Sequence, residues 1–394
     1  MSELSPTKAL SFATAAYDAK DYDLSDLRGV LAVSCPEIDT QSLVRLNGTA
    51  GMFSDVQSGF GFIARLKGAR SREILIASRG TDPGRASDIG TDLNALLVQG
   101  PTGQRIHKGF NSTFKSYVQQ IDAFLKPQTL GFKPSAIHCV GHSLGGALAN
   151  LNAAACAELG YNAYMYTLAA PRVGTLPYAE HVSKKFNSAH TYRIANASDP
   201  VTMVSCYPFI HAPYQRGTYL LNGGTLIVNP ANHLLGVGYQ SLSGKSWAQL
   251  KAESDGQIKL LEQTLFPGNN FGIGVDKMLS MPVMHFSATL LRSINLAINK
   301  LLQKIGAHNL MCVNHFSTGA FTTLDQLAEM LVRAATACID HAKEVYSMYA
   351  AVMQFLGRKA GNVTGMTVAL LRWAFNLMYS SLLGMASLAV RRLH

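Results

Sequence analysis

Gly141-His142-Ser143-Leu144-Gly145-Gly146 is the stretch whose residue types and spacing can do chemistry. An apolar run, Ala136 to Val140, precedes it, and a small-residue, helix-prone segment, Ala147 to Leu159, follows. Gly-x-Ser-x-Gly alone recurs by chance in glycine-rich chains; the strand-like and helix-like flanks make it specific. A strand turning directly into a helix forces its apex residue into a strained conformation, and glycines two before and two after let neighbouring backbone pass without a Cβ clash. Ser143 at that apex would stand at the sheet edge, near the positive end of the next helix, where the Leu144 amide can donate to an oxyanion.

A serine becomes a nucleophile when an imidazole takes its proton and a carboxylate holds that imidazole. The expected acid is Asp199, in Asn196-Ala197-Ser198-Asp199-Pro200 at the end of a strand, His190 to Ala195. As an ordinary loop acid it would only start the turn before Pro200. Two histidines follow it. His211 lies close by in Tyr207-Pro208-Phe209-Ile210-His211, while His233 comes after an expected hairpin, Gly217 to Leu221 and Thr225 to Val228. Turn residues before His233 and an apolar run after it favour His233 as the base. His107 precedes the serine with no carboxylate evident nearby and is read as structural.

The elements that must position these groups follow in order. Residues 7 to 20 have helical spacing, and 21 to 58 give no assignment. Gly59 to Leu66 and Glu73 to Ser78 read as a hairpin, and the second strand runs into Arg79-Gly80-Thr81-Asp82. Thr81 is placed to supply a second oxyanion donor, unless the segment is a plain glycine turn. Asp82 to Thr91, with Pro83, Gly84 and Gly90 as hinges, reads as a flap over the site. A helix from about Ser112 to Leu125 and a strand, Ala163 to Leu168, complete the pattern. Strands alternating with helices, with polar residues at strand C-terminal ends, imply an α/β class with a mainly parallel sheet.

These segments together resemble the class 3, fungal-type lipases of the α/β-hydrolase fold over roughly residues 7 to 245. The resemblance rests on Ala77-Ser78-Arg79-Gly80-Thr81, Thr91-Asp92-Leu93-Asn94, Ile106-His107-Lys108-Gly109-Phe110, the Ser143 motif, Ala169-Ala170-Pro171-Arg172-Val173-Gly174, and Arg193 through Asp199-Pro200-Val201. It implies Ser143 as nucleophile, Asp199 as acid, Thr81 and Leu144 as oxyanion donors, and a histidine after a hairpin, matching His233, as base. Where many members carry a lid tryptophan, this chain has Asp88-Ile89-Gly90. A polar lid suits amphiphilic substrates better than bulk fat.

The expected hydrolase domain is 1–265, followed by a linker, 266–274, and a helical domain, 275–394. Leu290, Leu291, Ile294, Ala297, Ile298, Leu301 and Ile305 form one helical stripe, and a longer one runs from Leu324 to Leu356 as a single expected helix. The final segment, Gly361 to Val390, carries Arg372 as its one charge. Two readings stand for it: the centre of a helical bundle, or contact with a membrane. Trp373 to Val390 has the minimum length for a span, weakened by Asn376, Ser380, Ser381, Gly384 and Ser387. Beyond Glu344 there are five bases and no acid, which suits an anionic membrane surface.

Composition sets limits. Lys and Arg number 34 against 24 Asp and Glu, a formal charge of +10, yet no dense basic run with interleaved aromatics points to nucleic acid. Six scattered cysteines without Cys-x-x-Cys spacing argue for synthesis in a reducing compartment and against a zinc site. The N-terminus lacks a signal-peptide pattern, so any export is expected by a leaderless route.

The expectation is therefore a serine ester hydrolase acting on lipids, foremost a phospholipase, needing no metal or organic cofactor. The alternatives are a triacylglycerol lipase or soluble esterase, and a non-catalytic membrane-binding or pore-forming protein. The combination also resembles bacterial phospholipase effectors of type VI secretion, which implies an immunity protein and a secretion-apparatus partner.

Overall fold

The computed structural model describes residues 3–49, 57–81, 96–186, 188–205, 207–214, 217–225, 227–265, 285–306, 323–361 and 365–393. The expected flap, 82–91, and the linker, 266–274, lie outside them.

A seven-stranded sheet organises the described residues, in the order β1-β2-β3-β6-β7-β8-β9. Its strands are β1 (Ile38–Thr49), β2 (Gln57–Leu66), β3 (Glu73–Ser78), β6 (Ala136–His142), β7 (Ala163–Leu168), β8 (Thr191–Asn196) and β9 (Thr218–Leu221); β4 (Leu97–Gln99) and β5 (Arg105–His107) pair separately. The first three run antiparallel, and β3, β6, β7, β8 and β9 are parallel neighbours. Every residue of β3, β6 and β7 is buried, as expected for strands covered on both faces.

Helices cover both faces. One face packs Phe110, Phe114, Tyr117 and Ile121 of α3 (Lys108–Leu125) with the small apolar residues of α4 (Leu144–Glu158). The other packs Ala9, Phe12 and Ala13 of α1 (Pro6–Ala15) and Leu27 and Leu31 of α2 (Leu24–Ser34) against Tyr166, Tyr192 and Tyr219. Helix α2 is capped by Asp23, whose carboxylate accepts from the amides of Ser25 and Asp26.

Three expectations change here. The unassigned stretch 21–58 holds α2 and the twelve-residue β1, whose register shifts between Asp39 and Val44 and again between Leu46 and Asn47. Those bulges destroy the alternation by which a strand is read. The hairpin expected at 217–228 is absent from the described residues: β9 joins β8 in parallel, Gly224 turns the chain at φ 63°, and Ile227 bridges to Ser287 instead. The single long helix expected from Leu324 to Leu356 is two, α8 (Thr323–Ala337) and α9 (Ile339–Phe355), because Cys338 adopts an extended conformation.

With α5 (Leu176–Lys185) and α6 (Trp247–Leu265) flanking the sheet, the remaining helices are α7 (Ala288–Lys304), α8, α9 and α10 (Val368–Arg391). They share one apolar core with Val201, Met203, Val204, Tyr207 and Val228 of the loops at the C-terminal sheet edge. Helix α10 is long and apolar enough to cross a membrane by length and composition. Its inner face, Leu371, Phe375, Met378, Leu382 and Ala386, is buried in that core. Asn376, Ser380 and Gly384 line its outer side.

Candidate active site

Ser143 caps the turn between β6 and α4 with φ 59° and ψ −128°, a conformation costly to a residue with a Cβ. The neighbouring glycines make it possible. A Cβ on Gly141 would lie 2.0 Å from the Gly145 carbonyl oxygen, and one on Gly145 would lie 2.1 Å from the Ser78 oxygen. Close packing of the elbow against the end of β3 thus brings Ser143 beside the Arg79-Gly80-Thr81 turn. Arg79 holds that turn by donating to the Gly80 carbonyl at 2.6 Å and to Ser58 Oγ at 2.7 Å.

Three chain segments meet at the serine. Ser143 Oγ lies 2.9 Å from His233 Nε2, and His233 Nδ1 lies 3.0 Å from Asp199 Oδ2 and 3.1 Å from Oδ1. Asp199 ends the loop after β8, and His233 ends a short turn, Pro230–His233. A carboxylate only accepts, so His233 carries its proton on Nδ1 and offers the Nε2 lone pair to the serine hydroxyl. All three residues are buried: Ser143 is 1% exposed, and Asp199 and His233 are 0% exposed.

The carboxylate is fully engaged. Asp199 Oδ1 accepts from the Val201 amide at 2.9 Å and Oδ2 from the Tyr239 hydroxyl at 2.7 Å. Tyr239 in turn accepts from the Asn196 amide at 3.1 Å. Burial, then the Asp199 charge, pushes the Tyr239 phenol well above its ordinary range, so it remains a donor.

The two expected oxyanion donors are Leu144 and Thr81, the latter following Gly80, where an added Cβ would lie 3.0 Å from Ser143 Cβ. Leu144 opens α4, so its amide has no carbonyl partner within the helix. Thr81 is buried, and its hydroxyl oxygen has no hydrogen-bond partner among the described residues.

The other two candidate histidines, His211 and His107, make their hydrogen bonds elsewhere. His211 donates Nε2–H to the Thr202 carbonyl at 2.9 Å, and burial, reinforced by Arg193 and Arg172, holds it well below the usual histidine range. His107 accepts from the Gly109 amide at 3.1 Å, stacks on Phe110, and is lowered to about 3 by burial.

Sequence reading missed three groups around the site. Tyr239 lies six residues after His233, and its type and proximity are its only signal. Tyr17 donates to His142 Nδ1 at 2.7 Å, and His142 Nε2–H donates to the His233 carbonyl at 2.9 Å. Arg292, from α7, donates to the Ala197 and Asn196 carbonyls at 2.9 and 3.0 Å.

Comparison with known proteins finds similarity to lipases. A profile of the family described as Lipase (class 3) matches residues 75–208, which include Thr81, Ser143 and Asp199 and stop short of His233. Residues 75–208 are thus similar to the class 3 lipases, over about a third of this chain. The chain is 26% identical over 195 residues to "Secreted mono- and diacylglycerol lipase 1" of Fusarium solani, covering 50% of this chain and 56% of that protein. It is 28% identical over 199 residues to "Secreted mono- and diacylglycerol lipase A" of Penicillium cyclopium, covering 49% of this chain and 62% of that protein. The chain thus spans somewhat over half the length of the curated relatives it matches. Among solved structures, the LIP2 lipase of Yarrowia lipolytica aligns with a TM-score of 0.44 at 21% identity, over 55% of this chain and 78% of that one.

Proposed function

We propose that this chain is a serine carboxylic-ester hydrolase of lipids, acting on acyl esters of amphiphilic glycerolipids. The observation that carries the reading is the continuous Ser143–His233–Asp199 chain, with contacts of 2.9 and 3.0 Å. His233 Nε2 takes the hydroxyl proton as Ser143 Oγ attacks the acyl carbonyl. Asp199 holds Nδ1 and balances the imidazolium, its own charge shared with Tyr239 and the Val201 amide. The Leu144 and Thr81 amides receive the oxyanion, and the Thr81 hydroxyl, which has no hydrogen-bond partner among the described residues, can join them. His233 then protonates the departing alcohol, and water, deprotonated by the same imidazole, releases the fatty acid and restores the serine. No step calls on a metal or organic cofactor.

The named relatives, mono- and diacylglycerol lipases, support partial glycerides as substrates. A glycerophospholipid is the second reading, favoured by exposed Arg372 and Arg391 on α10 and Arg392 just after it, which suit an anionic interface. The relatives lend no support to a type VI effector role. The division into a hydrolase domain and a helical domain is likewise a proposal, one that the shared core around Val201 and Val228 qualifies.

Product analysis decides the substrate. Wild-type protein and Ser143→Ala are incubated with vesicles containing phosphatidylglycerol, phosphatidylcholine and diacylglycerol. Free fatty acid and the matching lyso or monoacyl product should appear with wild type alone. Release undiminished in Ser143→Ala would reject the assignment.

A further inference from the structure

The C-terminal helices carry a guanidinium into the loop that holds Asp199. Arg292, in the second turn of α7, donates Nε–H to the Ala197 carbonyl at 2.9 Å and Nη2–H to the Asn196 carbonyl at 3.0 Å. The same Nη2 reaches Thr202 Oγ1 at 3.3 Å, and the Thr202 hydroxyl donates to the Asp199 carbonyl at 2.9 Å. One planar fork therefore grips the loop on both sides of the acid, at 196–197 and at 202. Geometry of this kind suits arginine, whose donors are fixed relative to one another.

Two further observations tie the helices to the site. Helix α10 lies against the Pro230–His233 turn that carries the base and against the Val201–Met203 turn next to the acid. Val201, Met203 and Val204 belong to the same buried cluster as Leu291 and Ile294, which flank Arg292 on α7. The charged and titratable groups around Arg292 are Arg172, Arg193, His211, Tyr239 and Asp199. Burial and Arg172 lower the Arg292 guanidinium to about 10, leaving it cationic at neutral pH.

We infer that Arg292 is a positioning residue for the hydrolytic reaction, supplied by the helices outside the family-matched segment to fix the Asp199 loop beneath His233. The inference rests on the serine-hydrolase reading proposed above. It gives these helices a part in catalysis separate from any contact with lipid. Arg292 touches neither substrate nor reacting atoms; it acts through the backbone of residues 196, 197 and 202.

The test uses the full chain, a soluble chromogenic ester and a fluorophosphonate. Arg292→Gln should lower kcat about tenfold or more, leave KM within about twofold, and slow fluorophosphonate capture by the same factor. Arg292→Lys, keeping the charge and one donor, should recover part of the loss. Gln303→Ala is the control: Gln303 links α7 to the Tyr214 hydroxyl at 2.7 Å without touching the acid loop, so its rates should match wild type. Should Arg292→Gln fail to fold, Thr202→Val takes its place, and a fall in kcat at constant KM is again expected. An active wild type beside an unchanged Arg292→Gln or Thr202→Val overturns the inference alone. Equal losses in Gln303→Ala also overturn it, reducing Arg292 to a docking contact. A wild type inert to the fluorophosphonate overturns the hydrolase reading and this inference with it.

Discussion

The Tyr17 hydroxyl and His142 Nδ1 lie 2.7 Å apart, although 125 residues separate them in the chain. Burial and the nearby His233 keep the His142 imidazole well below its ordinary range, hence neutral. A neutral ring has one N–H, and the His233 carbonyl 2.9 Å from Nε2 accepts only. Nε2 must therefore carry the proton, and Nδ1 must accept from Tyr17. The ring beside the nucleophile thereby holds the backbone of the base. Tyr17→Phe orphans Nδ1 and should reduce kcat about fivefold with KM unchanged, the effect of one neutral hydrogen bond. Steady-state kinetics on a soluble ester checks it.

Tyr239 supports the acid directly through its 2.7 Å bond to Asp199 Oδ2. A bond to a charged acceptor is worth about 1.5–3 kcal/mol, so Tyr239→Phe should lower kcat about tenfold or more. An unchanged kcat would show that the Val201 amide and His233 suffice to hold the carboxylate.

Two glycine substitutions should act in opposite directions. A Cβ on Gly145 would press on backbone, 2.1 Å from the Ser78 oxygen and 2.6 Å from the Arg79 carbonyl carbon. Gly145→Ala must displace the elbow, and kcat/KM should fall by about a hundredfold. Gly256, inside α6, has nothing within 4 Å of such a Cβ. Gly256→Ala should stabilise the protein by about 1 kcal/mol, read as a higher Tm with activity retained.

Stability should fall in acid through the buried histidines. His107 is lowered by burial to about 3 from an ordinary 6.5. Above pH 6.5 both folded and unfolded chains hold it neutral, and its contribution is fully present. As pH falls from 6.5 towards 3, the unfolded chain gains a proton that the folded one refuses, so stability declines. His142 and His211, both lowered well below 6.5, add in the same direction. Thermal melts from pH 8 to 4.5 should show a declining Tm, with a shallower slope in His107→Asn, where the amide oxygen can still accept from Gly109.

Local signals made much of this fold legible, and long-range ones hid the rest. The elbow could be read because its strand, glycines and helix are contiguous from Ala136 to Glu158. The pairing of β2 with β3 followed from two apolar runs and one short loop. Strand β1 was illegible because its bulges break the two-residue period. The turn after β9 was misread because apolar spacing does not say whether the next segment pairs back or reaches Phe286, whose carbonyl accepts from the Val228 amide at 2.9 Å. Tyr17 and Arg292 were invisible for the same reason. Their partners lie 125 and about 95 residues away, and a lone tyrosine or arginine on a helix reads as packing or as a surface charge.

Covalent capture tests the central claim most directly. A fluorophosphonate reacts only with a serine whose proton is taken by a neighbouring base. Incubation of the full chain, followed by peptide mass spectrometry, should give one adduct, on Ser143, lost in Ser143→Ala and strongly slowed in His233→Ala. A wild-type chain left unmodified, or labelled on Ser143 as fast without the His233 imidazole as with it, would contradict the account.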